Sequence, residues 1–184
     1  MALDPPPEVT DRAVDDLVSI SWEEFLELLE RRAGLDLHDL PEADLCGAIN
    51  SERKGMSESV KEPGNTPPAF SAPIHSEQGV PVVEVHGEID LATISELLES
   101  IGIAGSRLDG LPLACVDLRD AWFIDVSGVR VLVGEAQAMH ELGGELRLVI
   151  PEEGPVARVF ELLGVDRMLP LYYVLDLASG ERTN

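Results

Sequence analysis

Strand-like and helix-like patterns alternate along the last hundred residues, and this alternation limits the fold more than any other feature of the sequence. Residues 80–85 are rich in valine, as is typical of a strand, and residues 91–103 carry apolar side chains at helical spacing. The later segments repeat this order, with strands at 111–116, 146–150 and 169–173 and helices at 129–139 and 155–163. Such an order, with short connections, indicates one α/β domain with a largely parallel sheet.

A confident helix is predicted well before this domain. Ser21 begins a capping-box pattern with Glu24, and Trp22, Phe25 and Leu29 lie on one face of a helix that we expect to end at Gly34. Weaker helices are predicted at residues 11–18 and 41–49. The apolar stripe is too short to form a core of its own, so we expect these helices to pack on the domain rather than wait for a partner.

The segment between the two regions has the composition of a linker. Residues 51–79 are rich in Ser, Pro, Glu and Gly, and they run into a predicted edge strand. We therefore divide the chain into a helical appendage at residues 1–50, a flexible linker at 51–69 and an α/β domain at 70–184.

Composition narrows the choice of core, partner and compartment. Hydrophobic residues make up 45% of the chain and aromatic residues only 4%, so the core must be aliphatic. A net charge of -22 repels nucleic acid and anionic membranes and favours a partner with a basic patch. The same charge is also typical of a protein that is kept soluble by its acidic surface and has no such partner. Cys46 and Cys115 are too few for a disulfide framework, and no membrane span or signal peptide is recognisable. We expect a cytoplasmic protein.

Sequence motifs of enzymes, cofactor sites and metal sites were not found. There is no glycine-rich phosphate loop, and Ser127 lacks the preceding glycine of a nucleophile elbow, because Asp125 and Val126 stand before it. Helical pairing at i, i+3 or i+4 is missing among the four histidines, which are His38, His75, His86 and His140. We therefore predict no catalytic residue, no cofactor and no metal.

Three segments in combination carry a family resemblance. They are VVEVHGEIDLATISELL at 82–98, LACVDLRDAWFIDVSGVRVLVGEAQAMHELGGELRLV at 113–149 and VARVFELLGVDRML at 156–169. Together they resemble the STAS domain, the fold of bacterial anti-sigma-factor antagonists and of the cytoplasmic tails of sulfate transporters. The resemblance covers residues 70–178. It implies a mixed, largely parallel sheet of four to five strands flanked by about four helices and here preceded by the helical appendage.

The turn at Asp125 is the centre of the functional prediction. Its carboxylate is placed to cap the helix that begins near Val126. The resemblance implies that this helix tip binds an anti-sigma factor, a GHKL-type serine kinase. The partner-binding residues that it implies are Asp90, Asp125, Val126, Ser127, Gly128, Val129 and Arg130.

The sequence departs from the family at the position of the switch. In the family it resembles, the residue after the aspartate is a Ser or Thr whose phosphorylation releases the partner, because a phosphate adds nearly two negative charges to the docking surface. Val126 has no hydroxyl. Ser127 is a candidate substitute phosphosite, but a shift of one residue turns the hydroxyl about 100 degrees around the helix axis. We predict an antagonist that is not switched at the usual position and whose availability depends on its expression or on the appendage.

Two alternatives stay open at this point. The first is another role for the same fold, because some STAS domains resemble accessory subunits of lipid-transport ABC systems or sensory modules that hold a small ligand. Val126 favours these roles, since it lacks the hydroxyl of the phosphorylation switch. The second alternative is an enzyme with a divalent ion between Asp90 and Asp125.

Overall fold

The computed structural model describes residues 20–33, 68–106 and 112–175. The helices predicted at 11–18 and 41–49, the predicted helix end at Gly34 and the linker as far as residue 67 lie outside the described residues. In the described ranges the helices are α1 (Trp22–Leu28), a π-helix (Leu29–Ala33), α2 (Ile94–Gly105), α3 (Val126–Glu141), α4 (Pro155–Leu162) and a 3-10 helix (Val165–Arg167). The strands are β1 (Ile74–Glu77), β2 (Val80–Glu84), β3 (Gly87–Ile89), β4 (Leu113–Asp117), β5 (Ala121–Ile124), β6 (Glu145–Val149) and β7 (Leu171–Tyr172).

Five of these strands form one sheet in the order β1-β2-β4-β6-β7. The pairs β2–β4, β4–β6 and β6–β7 are parallel, and β1 is antiparallel to β2. This mixed, largely parallel sheet confirms the predicted fold class. A second sheet of two parallel strands, β3 and β5, was not predicted.

A tight hairpin sets the antiparallel edge of the large sheet. Glu77 pairs with Val80, and the two residues between them, Gln78 and Gly79, have φ angles of 50° and 85°. Positive φ at both positions is the geometry of a two-residue turn that matches the twist of paired strands. The edge strand that the sequence predicted at the end of the linker is therefore β1.

The chain leaves the large sheet at Gly87. This glycine has φ of +88°, and a Cβ atom added there would lie 2.8 Å from the Cα atom of Phe70. Any other residue would meet that backbone. The preceding residue, His86, forms an isolated antiparallel bridge with Ser71. Because of this break, the valine-rich strand ends at Glu84 and β3 is free to pair with β5.

The main aliphatic core joins the large sheet, the small sheet and the helices, as the low aromatic content requires, and a second, smaller buried cluster includes Cys115. The largest buried aromatic side chains are Phe25, Phe123 and Phe160. Cys115 of β4 is also buried, and burial raises the pKa of its thiol to about 12, so this cysteine is not a nucleophile at neutral pH. None of the helices in the described ranges has the length and hydrophobicity that crossing a membrane demands.

Helix α1 belongs to the same core as the α/β domain. Ser21 and Glu24 form the predicted capping box, in which Glu24 Oε2 accepts from the Ser21 N–H at 2.8 Å. The helix face beyond this cap buries Phe25 and Leu29 completely, together with Leu28. The expectation that this helix packs on the domain is therefore confirmed.

Replacing Phe25 with alanine tests this packing. Loss of a fully buried phenylalanine should lower the free energy of unfolding by about 3–5 kcal/mol, measured by urea denaturation. The matched control is Glu27→Ala in the same helix, where the exposed side chain predicts a change within about 0.5 kcal/mol. An unchanged unfolding midpoint of the domain in Phe25→Ala would show that α1 does not contribute to its core.

Candidate functional site: a helix tip at the end of the small sheet

The pairing of β3 with β5 brings two distant turns together. The Asp125 N–H donates to the Ile89 carbonyl at 3.0 Å. Asp90 follows Ile89 directly, so both aspartates leave the carboxyl ends of neighbouring parallel strands. Polar side chains at such strand ends form a common surface patch in open α/β sheets.

Asp125 caps helix α3, as the sequence predicted. Its Oδ1 atom accepts from the Gly128 N–H at 2.9 Å, and it also accepts a hydrogen bond from the Ser127 hydroxyl. A side chain that satisfies a free N–H of the first turn is the usual device for starting a helix. The two bonds hold the carboxylate and the hydroxyl together at the helix tip.

The turn at Asp90 is held by its own hydrogen bonds. Asp90 Oδ1 accepts from the Ala92 N–H at 3.0 Å, and the Thr93 hydroxyl accepts from the Asp90 N–H at 2.9 Å. The same hydroxyl lies 3.1 Å from the Glu88 carbonyl, to which it can donate. Asp90 therefore stands on a defined turn.

Gly128 allows helix α3 to approach the small sheet closely. A Cβ atom added there would lie 2.6 Å from Ile89 Cγ2 and 2.8 Å from Ile124 Cγ1, so both isoleucines would have to move. Glycine at this position is thus explained by packing. Because Gly128 has no side chain, the first turn of α3 packs directly against Ile89 and Ile124 at the ends of β3 and β5.

The side chains predicted to bind a partner differ in their exposure. Asp90, Asp125 and Ser127 are partly exposed, whereas Val126 is 1% and Val129 0% exposed. The accessible side chains of the tip are therefore the two aspartates and the serine, and the valines support them from beneath. The assignment of these residues to partner binding stays a prediction.

Arg130 is covered by the chain that leads into α1. It is 4% exposed, and its Nε donates to the Ile20 carbonyl at 3.1 Å. The segment that begins at Ile20 therefore lies on the flank of α3, one turn from the tip. In this arrangement the Arg130 side chain is covered, and its predicted role in partner binding stays a prediction.

Burial raises the pKa of Asp125 above its ordinary range. The charge of nearby Asp90 acts in the same direction, while the hydrogen bonds from Ser127 and Gly128 oppose it. Within the described part of the chain, Asp90 and Asp125 are not joined by a third His, Cys, Asp or Glu side chain close enough to share a metal ion with them. Asp125 acts here as a helix cap.

Sequence patterns missed two features of this region. The first is the pairing of β3 with β5, although the apolar run Trp122-Phe123-Ile124 was a usable signal for a short strand. The second is a group formed by Glu84, His86 and Asp120, which lies where β3 and β5 begin. Neither the spacing of the histidines nor any local motif indicated this group.

A model of the STAS domain family matches residues 71–178, more than half of the chain. The chain therefore belongs to the STAS domain family.

The relatives found by comparison carry the name of anti-sigma factor antagonist. The anti-sigma-F factor antagonist RsfB of Mycobacterium tuberculosis is 28% identical over 120 residues, which are 64% of this chain and 94% of that protein. An anti-sigma F factor antagonist of Paenibacillus polymyxa is 27% identical over 95 residues, which are 52% of this chain and 80% of that protein. The crystal structure of an anti-sigma factor antagonist from Mycobacterium paratuberculosis has a TM-score of 0.50 and 29% identity, covering 61% of this chain and 93% of that one.

Replacing Asp125 with asparagine should change how stability depends on pH. Asparagine keeps the cap but does not titrate. The raised pKa of Asp125 means that the folded protein binds the carboxyl proton more tightly than the unfolded chain does. The stability gained from the protonated carboxyl is therefore complete in acid and is lost as pH rises through the folded pKa. We expect the stability of Asp125→Asn relative to the unsubstituted protein to increase from acidic to neutral pH, measured by urea denaturation across that range. A relative stability that falls with pH would show that the charged carboxylate is the favoured form.

Proposed function

We propose that this protein is an anti-sigma factor antagonist and that it binds its partner through the helix tip of Asp90, Asp125 and Ser127. The observation that carries the proposal is that these three side chains are all partly exposed and lie beside one another, Asp125 and Ser127 at the start of α3 and Asp90 on the neighbouring turn, in a chain of the STAS family. The names of its relatives support the same role. The role is one of protein binding and regulation, not of catalysis.

The partner that we propose is an anti-sigma factor of the GHKL serine kinase type with a basic docking surface. Residues 78–184 contain 18 acidic and 7 basic residues, and the whole chain has a net charge of -22. At the tip, Asp90 and Asp125 add two carboxylates on neighbouring turns. Complementary charge speeds association and makes it sensitive to salt, so binding should weaken as ionic strength rises.

The usual phosphorylation switch is not available to this chain in our proposal. Val126 has no hydroxyl, and its side chain is buried in the aliphatic core. The Ser127 hydroxyl donates to the carboxylate of Asp125, which supports a structural role for it at the helix start. We infer that Ser127 is not a phosphosite and that binding is constitutive once the protein is made.

Helix α1 confines the docking surface to the tip. The hydrogen bond from Arg130 to the Ile20 carbonyl and the burial of Phe25 and Leu29 cover the flank of α3. Arg130 and Val129 then act as supports of the tip, not as contacts. A partner that needed the flank would first have to displace α1.

Introducing a basic side chain at the tip should weaken partner binding. We expect Ser127→Arg to reduce affinity for the anti-sigma factor by more than about tenfold, because it places bulk and a positive charge where a basic surface must close. The measurement is isothermal titration with the purified partner. The control, Glu161→Arg, introduces an arginine at an exposed position of α4, away from the tip, and should leave the affinity nearly unchanged. Equal effects of the two variants, or capture of an ABC transporter ATPase in place of an anti-sigma factor, would contradict the proposal.

Incubation with the kinase partner and ATP should leave the protein unphosphorylated. Intact-mass spectrometry should detect no added phosphoryl group. Val126→Ser restores a hydroxyl at the position used in the family, and we expect it to accept a phosphoryl group and lose affinity for the partner; because position 126 is buried, this requires the kinase to open the first turn of α3. Val126→Ala shortens the same side chain without adding a hydroxyl and is the matched control. Phosphate incorporated by the unsubstituted protein and abolished in Ser127→Ala would identify Ser127 as the switch and overturn this part of the proposal.

A further inference from the structure

We propose that Glu84, His86 and Asp120 form a binding site for a divalent transition-metal ion of the Zn²⁺ class. One ligand atom from each residue lies within 4.8 Å of the others. The group lies at the amino ends of β3 and β5, opposite to the helix tip, and it is independent of the proposed function.

The imidazole of His86 lies between the two carboxylates, with a different ring nitrogen facing each of them. His86 Nε2 lies 3.3 Å from Glu84 Oε1, and His86 Nδ1 lies 3.9 Å from Asp120 Oδ2. Bonds of about 2.0–2.2 Å to a tetrahedral Zn²⁺ place neighbouring ligand atoms about 3.3 Å apart. Binding of one ion through one imidazole nitrogen therefore requires the carboxylate on the other side of the ring to turn toward that nitrogen. Glu84 and His86 are partly exposed and Asp120 is 65% exposed, so these side chains have room to rotate.

The backbone positions of the three ligands are fixed by separate interactions. The Glu84 N–H donates to the Pro73 carbonyl at 2.9 Å, and the His86 N–H donates to the Ser71 carbonyl at 2.9 Å. Asp120 lies in the turn closed by the hydrogen bond from the Ala121 N–H to the Leu118 carbonyl. The backbone beneath the site is therefore fixed, so binding costs little backbone order and the ordering that remains is that of the side chains.

Imidazole together with carboxylates is a donor set that suits Zn²⁺ and related first-row ions, while Mg²⁺ and Ca²⁺ favour oxygen donors alone. With three protein ligands, water would complete a tetrahedral shell. The nearby Arg119 guanidinium is held by Asp117 at 2.6 Å, and its charge also interacts with Asp120, so a bound ion would have to outweigh this weaker attraction. The acidic chain as a whole also attracts cations.

His75 of β1 is placed as a positioning residue. Its Nδ1 lies 3.6 Å from Oε2 of Glu84, the oxygen not in contact with His86. A partner on the second oxygen orients a ligating carboxylate. Loss of such an outer contact weakens metal binding about ten- to hundredfold without abolishing it.

The test is isothermal titration of the full-length, chelator-treated protein with ZnCl₂, combined with Co²⁺ absorption spectroscopy. We expect saturable binding with one ion in the site, a tetrahedral Co²⁺ spectrum and a rise in Tm with Zn²⁺. These signals should be lost in His86→Ala and in Asp120→Asn, both at exposed or partly exposed positions, with folding checked by circular dichroism. His140→Ala removes an exposed histidine of α3 outside the group and should bind as the unsubstituted protein does.

Variants at His75 separate positioning from direct ligation. His75→Ala should weaken Zn²⁺ binding about tenfold or more, and His75→Gln, which keeps a donor, should restore part of it. Binding that survives in His86→Ala and Asp120→Asn, or no saturable binding to the unsubstituted protein, would overturn the proposal. The group would then be a cluster of histidine–carboxylate ion pairs.

Discussion

Parallel pairing between β3 and β5 is the interaction on which the arrangement of the candidate site depends. It joins the Asp125 N–H to the Ile89 carbonyl and so sets the start of α3 beside the turn at Asp90. Gly128 permits this approach, because a larger residue would meet Ile89 and Ile124. Three local features, a short strand, a cap and a glycine, thereby act as one structural unit.

At this tip a residue of the aliphatic core stands directly between two partly exposed residues in the sequence. Val126 lies between Asp125 and Ser127 in the chain, yet its side chain is buried while its neighbours are partly exposed. The Val126 side chain therefore contributes to stability by its burial, in addition to lacking a hydroxyl that could be phosphorylated. A serine there would exchange an apolar contact for a polar group that needs a hydrogen-bond partner. The chemistry of the tip and the packing of the core are thus coupled at one side chain.

Helix α1 shows how a segment outside the family domain becomes part of its core. Its cap is local, but the burial of Phe25 and Leu29 depends on the α/β domain. The Nε–H of the buried Arg130 donates to the Ile20 carbonyl, so this polar group keeps a hydrogen-bond partner where the chain covers it. This segment therefore covers a flank of α3 that the tip leaves open. The small sheet has a polar group at each end, with Glu84, His86 and Asp120 before its strands and the two aspartates after them.

Local signals in the sequence determined the order of the helices and of the five strands of the large sheet, the capping box of Ser21 and Glu24, and the cap at Asp125. Each of these involves residues within a few positions of one another. They also determined the family and the missing hydroxyl at Val126. Only the tertiary structure decided that β3 pairs with β5, that Val126 and Arg130 are buried, and that His86 lies beside Asp120. These outcomes depend on register and contacts between segments far apart in the chain, and no local periodicity encodes such long-range placement.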